Sequence, residues 1–239
     1  MTVLYRCKGG VATLTLDRPE SRNALNMAMC EELLAGAHAA AADPSVKVVL
    51  VRANGPVFCA GADLKERQGM NEAQVRDRRM KAFAAYAAIE ALPMPAIAVL
   101  EGPAVGSGCE IAGTCDFIVA TPAASFRAPE AIRGTVGATQ RLPRILGKRL
   151  AKDLLFTGRT LSAEEAERHG LVSRLVAPEK LEAVLAQITK VIVEAPAPSL
   201  RLAKRCVDRG VELEPKGALE AEIAAIEEQL ACGDWMGKK

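Results

Sequence analysis

The chain has 239 residues, a net charge of +2 and a hydrophobic fraction of 50%, which predicts one globular unit with a full core and argues against a disordered chain. The near-neutral charge argues against a large nucleic-acid footprint, and no apolar run is long enough for a membrane span. A signal-peptide pattern is not found at the N-terminus, so no leader is expected.

Cysteine and histidine usage narrows the chemistry further. Seven scattered cysteines without a C-x-x-C pair predict a reduced protein inside the cell, and we expect a cytoplasmic location. The two histidines, His38 and His169, lie in helix-like stretches without matching ligands. We therefore expect both to be solvated, and we predict neither a metal site nor a serine–histidine relay.

Strands and helices alternate along most of the chain. A Gly9-Gly10 turn joins the first two strands into a hairpin, and Asn26 is the predicted N-cap of a long helix. The predicted strands span residues 3–7, 11–16, 46–51, 96–100, 117–120 and 171–176. The predicted helical segments span residues 27–42, 66–92, 107–115, 140–158 and 163–169, and continue from 178 with a break at 195–198.

A small-residue turn follows the third strand. The run Cys59-Ala60-Gly61-Ala62 has no bulky side chain, so a ligand can lie along its backbone. Asp63 is predicted to cap the helical segment that comes next, and this structural role is compatible with a role in binding.

The same order of strand, turn and helix recurs after the strand at 96–100. Glycines at 102, 106 and 108 allow a tight turn, and Ser107 begins a helix with its N–H free. Helix N-termini attract negative charge, and Glu110 projects from the first helical turn, which together suit enolate chemistry. The same residues also fit a capping box, in which Glu110 only binds the Ser107 N–H. The motif alone leaves both interpretations open.

A second acidic residue and a basic segment follow. Glu130 comes directly after a proline at a predicted helix start, where the helix dipole alone favours an acid by about 0.3–1 kcal/mol. The basic segment is interpreted as a solvated helix face or a phosphate-facing edge, with RNA binding as the alternative. Its cationic residues are Arg141, Arg144, Lys148, Arg149 and Lys152.

Three runs, at 58–65, at 102–116, and at 129–130 followed by 138–143, together resemble the crotonase family, the enoyl-CoA hydratase/isomerase superfamily. The similarity covers nearly the whole chain. It implies an α/β fold, the ClpP/crotonase-like spiral of ββα units, at residues 1–177, and a C-terminal helical trimerisation part at residues 178–239. Family members usually continue through a further helix, so the C-terminal region is expected to be incomplete.

The resemblance also implies the ligand and its contacts. An acyl-CoA thioester is the expected ligand, with no cofactor apart from the coenzyme A of the substrate, no metal and no nucleic acid, in a homotrimer or a dimer of trimers. The oxyanion-hole donors would be the backbone N–H groups of Ala62 and Ser107, although the family usually has glycine at the second position. The implied CoA- and substrate-binding residues are Arg22, Ala24, Ala60, Asp63, Leu64 and Gly106.

Two acids distinguish activities within the family. Glu110 and Glu130 match the pair of glutamates that hydratases share, whereas isomerases commonly keep one. The expected function is an enoyl-CoA hydratase that adds water across the 2,3 double bond of a 2-enoyl-CoA to give a 3-hydroxyacyl-CoA. Glu110 would be the base on water and Glu130 the proton donor, or the reverse. The alternatives are isomerisation, another crotonase-type reaction and, more remotely, an RNA-binding or non-catalytic homologue.

The segment between Glu130 and Thr139 departs from the family pattern, which usually has a few more residues there. Because that loop helps to hold the water, its shortening predicts an altered acyl pocket. The acyl chain itself is not defined by the sequence.

Overall fold

A computed structural model describes residues 1–232; the expected C-terminal region extends to residue 239, and residues 233–239 lie outside this description. The six-stranded sheet has the spatial order β1 (Val3–Lys8), β2 (Val11–Leu16), β3 (Val48–Ala53), β4 (Ala96–Leu100), β6 (Phe117–Ala120) and β9 (Arg174–Leu175). The three-stranded sheet has the order β5 (Pro103–Val105), β7 (Ser125–Arg127) and β8 (Thr160–Ser162).

Helices cover these sheets. They are α1 (Met27–Ala42), α2 (Leu64–Arg67), α3 (Glu72–Glu90), α4 (Ser107–Gly113), α5 (Arg141–Thr157), α6 (Ala163–Arg168), α7 (Leu181–Glu194), α8 (Ala197–Gly210) and α9 (Pro215–Cys232). Single turns of 3₁₀ helix lie at Pro19–Ser21, Ala131–Arg133 and Pro178–Lys180.

The predicted hairpin is confirmed. β1 and β2 are antiparallel, and the turn between them places Gly9 at φ 59° and Gly10 at φ 83°, the left-handed region that a two-residue hairpin turn needs. All other neighbours in the large sheet are parallel. A parallel sheet needs cover on both faces, which explains why β4 and β6 are apolar at every position.

Each face of the large sheet packs on different helices. Every residue of β4 is buried, with Ile97 and Val99 facing a cluster that includes Leu185 of α7. The residues that alternate with them lie in the main core with α1 and α3, because successive strand side chains point to opposite faces. The amide of Met29 donates to the Asn26 side chain, so the predicted N-cap of α1 is also confirmed.

Successive ββα units give the chain its spiral. β4 joins the large sheet, β5 joins the small one, and α4 follows; β6, β7 and α5 repeat the order. A parallel bridge between Cys59 and Ala104 extends the small sheet to the turn that precedes α2. The predicted α/β spiral of ββα units is therefore confirmed.

Several elements differ from the sequence-based prediction: β3 is shifted by two residues, α4 is shorter, and the strands of the small sheet were not predicted. Two further differences have a clear local cause. The helical stretch predicted from residue 66 divides into α2 and α3, because Asn71 and Gln74 form a capping box that starts a new helix. The last predicted strand shrinks to β9, because the amides of Leu171 and Val172 donate back to the carbonyl of Ala166 and not to a neighbouring strand.

The C-terminal helices take two kinds of position. α7 packs against the large sheet, whereas α8 and α9 pack against each other. The division at residue 177 stays a prediction. Among residues 1–232, none of the helices combines the length and the apolar composition that crossing a membrane requires.

Candidate active site

A cavity of about 300 Å³ lies where α3, the turn before α2, the start of α4 and the segment after β7 meet. It brings together residues that are far apart in sequence. Of the residues expected to act in catalysis or binding, those that line it are Ala60, Ala62, Leu64, Gly106, Ser107, Glu110 and Glu130.

Part of the cavity wall is formed by two adjacent turns, the one before α2 and the one before α4. The Val105 amide donates to the Cys59 carbonyl at 2.8 Å, so the turns run side by side. Each turn then has a glycine in the left-handed region, Gly61 at φ 94° and Gly106 at φ 54°. A side-chain carbon on Gly61 would lie 3.0 Å from the Val105 carbonyl oxygen, so the close approach of the turns depends on this glycine.

The residue after each glycine presents a backbone amide without an acceptor. The Gly61 carbonyl and the Asp63 amide both bond to Leu25, which leaves the Ala62 N–H on the opposite side of the chain. Ser107 is the first residue of α4, whose N–H groups lack partners within the helix. Within residues 1–232 neither the Ala62 nor the Ser107 amide donates to another group, so both can donate to a ligand oxygen.

The capping-box interpretation of Ser107 and Glu110 is wrong. Gly106, and not Ser107, is the N-cap of α4, and no side-chain bond caps this helix. The Glu110 amide donates to the Gly106 carbonyl at 3.1 Å, while its carboxylate binds elsewhere. Glu110 is therefore available to the cavity.

Arg141 positions the Glu110 carboxylate. Its Nη1 donates to Glu110 Oε2 at 2.8 Å and its Nη2 to Glu90 Oε2 at 2.6 Å. The guanidinium carbon lies 5.9 Å from the centre of the Tyr86 ring, a cation–π distance. The Glu110 side chain is only 12% exposed, so this ion pair is largely shielded from water. Arg141 thus links α5 to the first turn of α4.

Sequence reasoning missed this role, because Arg141 was grouped with a solvated basic face. Its position in the 138–143 run that carries the family resemblance was the available signal. Arg144 of the same face forms an ion pair with Glu212 at 3.1 Å.

For the enoyl-CoA hydration that the family resemblance implies, replacing Arg141 with glutamine is expected to lower kcat with crotonyl-CoA by about 10–100-fold, because a small displacement of Glu110, the expected base, is costly. KM should change much less, since Arg141 does not line the cavity. Steady-state kinetics at saturating substrate would measure both values. Glu90→Gln is the matched control, because it removes only the outer ion pair; an unchanged kcat in Arg141→Gln would contradict the positioning role.

Glu130 occupies a different environment. It precedes the 3₁₀ turn, and its Oε2 is buried without a hydrogen-bond partner in the described chain. Added side-chain carbons on Gly106 and Gly137 would lie 2.6 Å from its Oε1 and 2.9 Å from its Cγ. Burial raises the pKa of the Glu130 carboxyl, and the nearby Glu110 charge raises it further. Both effects favour the protonated form more than in an ordinary glutamate, which is the direction that the expected role of proton donor needs.

The pKa of Glu130 is raised in the folded state, so the folded protein holds this proton more tightly than the unfolded chain does. The folded wild type should therefore lose stability as pH rises from the usual carboxyl range through the raised pKa. We expect Glu130→Gln to have a higher Tm than the wild type at about pH 7.5, and this difference to vanish below about pH 4. Thermal unfolding across this range would measure it. A Tm difference that is the same at every pH would show that the charge of Glu130 is not its cause.

The remaining expected ligand contacts are not among the residues that line the cavity. Arg22 and Ala24 do not line it, but the Ala60 amide donates to the Arg22 carbonyl at 3.0 Å and connects their loop to the cavity wall. Asp63 caps α2 through the amides of Lys65 and Glu66 and pairs with Arg18 at 3.0 Å. Its carboxylate is thus occupied in holding the turn.

His38 and His169 are both exposed, as expected. Among the described residues no group of three or more histidine, cysteine, aspartate or glutamate side chains is placed to hold a metal ion.

Sequence and structure comparisons give a consistent result. The family model for enoyl-CoA hydratase/isomerase matches residues 6–234. A probable enoyl-CoA hydratase of Rhizobium meliloti is 38% identical over 98% of this chain and 91% of its own length. An enoyl-CoA isomerase/hydratase of Mycosarcoma maydis is 35% identical over 94% of this chain and 86% of its own length. The crystal structure of an enoyl-CoA hydratase from Bacillus anthracis superimposes with a TM-score of 0.92 and 35% identity, covering 95% of this chain and 90% of that one.

Proposed function

Since the chain belongs to the enoyl-CoA hydratase/isomerase family, we propose that it hydrates a 2-enoyl-CoA thioester to a 3-hydroxyacyl-CoA. One observation supports this most directly: two amides without acceptors and two glutamates with unlike surroundings line one cavity. The reaction needs no cofactor besides the coenzyme A of the substrate.

The amides act on the thioester carbonyl. Negative charge develops on its oxygen as water adds to Cβ, and the N–H groups of Ala62 and Ser107 donate to that oxygen. Removing one such donor typically costs about 3–4 kcal/mol of transition-state stabilisation. Ser107 donates through its backbone, so its side chain does not prevent this role.

The glutamates move two protons. Glu110 takes a proton from water as the oxygen forms a bond to Cβ, the π electrons pass into the enolate, and Glu130 gives a proton to Cα. The substrate thereby gains H and OH, and proton exchange with solvent returns Glu110 and Glu130 to their starting states. Burial of Glu130 and the Arg141 partner of Glu110 support this assignment.

Incubation with crotonyl-CoA tests the proposal. The conjugated enoyl absorbance should disappear, and mass spectrometry should identify 3-hydroxybutyryl-CoA. No hydration of crotonyl-CoA, of 2-pentenoyl-CoA or of glutaconyl-CoA would reject the hydratase function.

Double-bond isomerisation is the second candidate, and the Mycosarcoma maydis relative carries both activities in its name. It needs only one glutamate to carry a proton between carbons. A 3-enoyl-CoA distinguishes the two: conversion to the 2-enoyl isomer without hydration would favour isomerisation.

We also propose that the chain assembles as a homotrimer or a dimer of trimers. Large apolar side chains on α8 and α9 are exposed in the single chain, among them Val207 at 65% and Leu219 at 57%. Light scattering coupled to gel filtration would give the mass; a monomer would reject the assembly.

A further inference from the structure

Three arginines that line the cavity lack a carboxylate partner among residues 1–232: Arg67, Arg79 and Arg133. Neighbouring cations differ in this respect. Arg78, the fourth arginine in the cavity wall, pairs with Glu66 at 3.1 Å, and Arg141 pairs with Glu110. The cavity therefore has an excess of positive charge beyond what its own glutamates neutralise.

Two of the three guanidinium groups lie near Glu130, the expected proton donor. Arg79 donates to the Thr135 hydroxyl and so connects α3 to the segment after Glu130. The charges of Arg133 and Arg79 both act on the Glu130 carboxyl, against the larger effects of burial and of Glu110. Arg67 lies on the short helix α2 with Leu64, beside the turn whose residues are expected to bind coenzyme A. Arg79 and Arg133 therefore mark the acyl end of the cavity.

The walls around them are mostly apolar. Val75 and Phe83 on α3, and Val136 after the 3₁₀ turn, line the same cavity. A simple alkyl chain would need only these side chains. A guanidinium group beside such a wall favours a planar anion, which it can bind through two parallel hydrogen bonds.

We propose that the acyl end of the cavity accepts an enoyl group that carries a carboxylate of its own, bound by the guanidinium groups of Arg79 and Arg133. The inference rests on the proposed function to the extent that the cavity holds an acyl-CoA thioester. It specifies the substrate class: the CoA thioester of an unsaturated dicarboxylic acid.

Binding of two saturated analogues tests this without requiring turnover. Glutaryl-CoA and pentanoyl-CoA share the coenzyme and differ at the end of the acyl chain, where only the first carries a carboxylate. Calorimetry should show that the wild type binds glutaryl-CoA at least about tenfold more tightly, as expected for charge-assisted hydrogen bonds. In the double variant Arg79→Gln/Arg133→Gln this ratio should fall to about threefold or less.

Arg76→Gln is the matched control. Arg76 is exposed on the same helix and does not line the cavity, so the ratio should stay at its wild-type value. Two results would overturn the proposal: equal affinities of the wild type for both analogues, or a ratio unchanged in the double variant. If the double variant loses the same affinity for both analogues, the ratio is unchanged. That result would assign these arginines to the phosphates of coenzyme A.

Turnover separates this inference from the function it rests on. Hydration of 2-pentenoyl-CoA by a protein that shows no preference between the two analogues would leave the hydratase function standing and reject carboxylate recognition. Failure to hydrate either glutaconyl-CoA or 2-pentenoyl-CoA, with the binding preference intact, would reject the hydratase function alone.

Discussion

Replacing Glu110 or Glu130 with glutamine is expected to lower kcat for crotonyl-CoA hydration by about 10²–10⁴-fold, the usual contribution of one general acid or base. Glutamine keeps the shape of glutamate and one acceptor oxygen, but it cannot take or give the proton at the working pH. The loss should fall on kcat more than on KM, because proton transfer occurs in the transition state. Stopped or continuous assays of the enoyl absorbance would measure it.

The double variant sharpens this test. If the two glutamates act on one water, Glu110→Gln/Glu130→Gln should be little slower than the slower single variant, because groups that act as a unit are not additive. Glu179→Gln, at an exposed glutamate remote from the cavity, should retain the wild-type rate. A wild-type rate in either single variant would remove that residue from the mechanism.

Gly108→Ala is expected to lower kcat by about 100-fold, because it should disrupt the oxyanion hole that we propose. A side-chain carbon at this position would lie 2.5 Å from the Cys59 carbonyl oxygen, so α4 must shift away from the turn that carries Ala62. The amides of Ala62 and Ser107 would then no longer reach the same oxygen. Steady-state kinetics with crotonyl-CoA would measure the loss.

Gly113→Ala serves as the control on the same helix. An added carbon there meets nothing closer than 3.8 Å, so it should leave kcat and KM within about twofold of the wild type. Circular dichroism would verify that both variants fold. A folded Gly108→Ala protein with wild-type kcat would show that the spacing of the two turns does not govern catalysis.

Local pattern was a good guide to elements and a poor guide to the partners of polar side chains. The Gly9-Gly10 hairpin and the Asn26 cap follow from chemistry within a few residues, and both are confirmed. Glu110 shows the opposite case, because the capping-box interpretation and the catalytic interpretation fit the same local sequence. The partner that separates them, Arg141, is 31 residues away in sequence.

By itself, the sequence determined the family and, through that resemblance, the α/β spiral, because motifs in a set order carry it. The positions of the small-residue turns follow directly from the local residues. Only the tertiary structure decided which amides lack acceptors, that Oε2 of Glu130 is buried in the same cavity as Glu110, and that Arg79 and Arg133 line this cavity near Glu130. The physical reason is that the burial of a side chain, its distance from other charges and its hydrogen-bond partners all depend on residues that are far apart in sequence. Neighbours in sequence do not specify them.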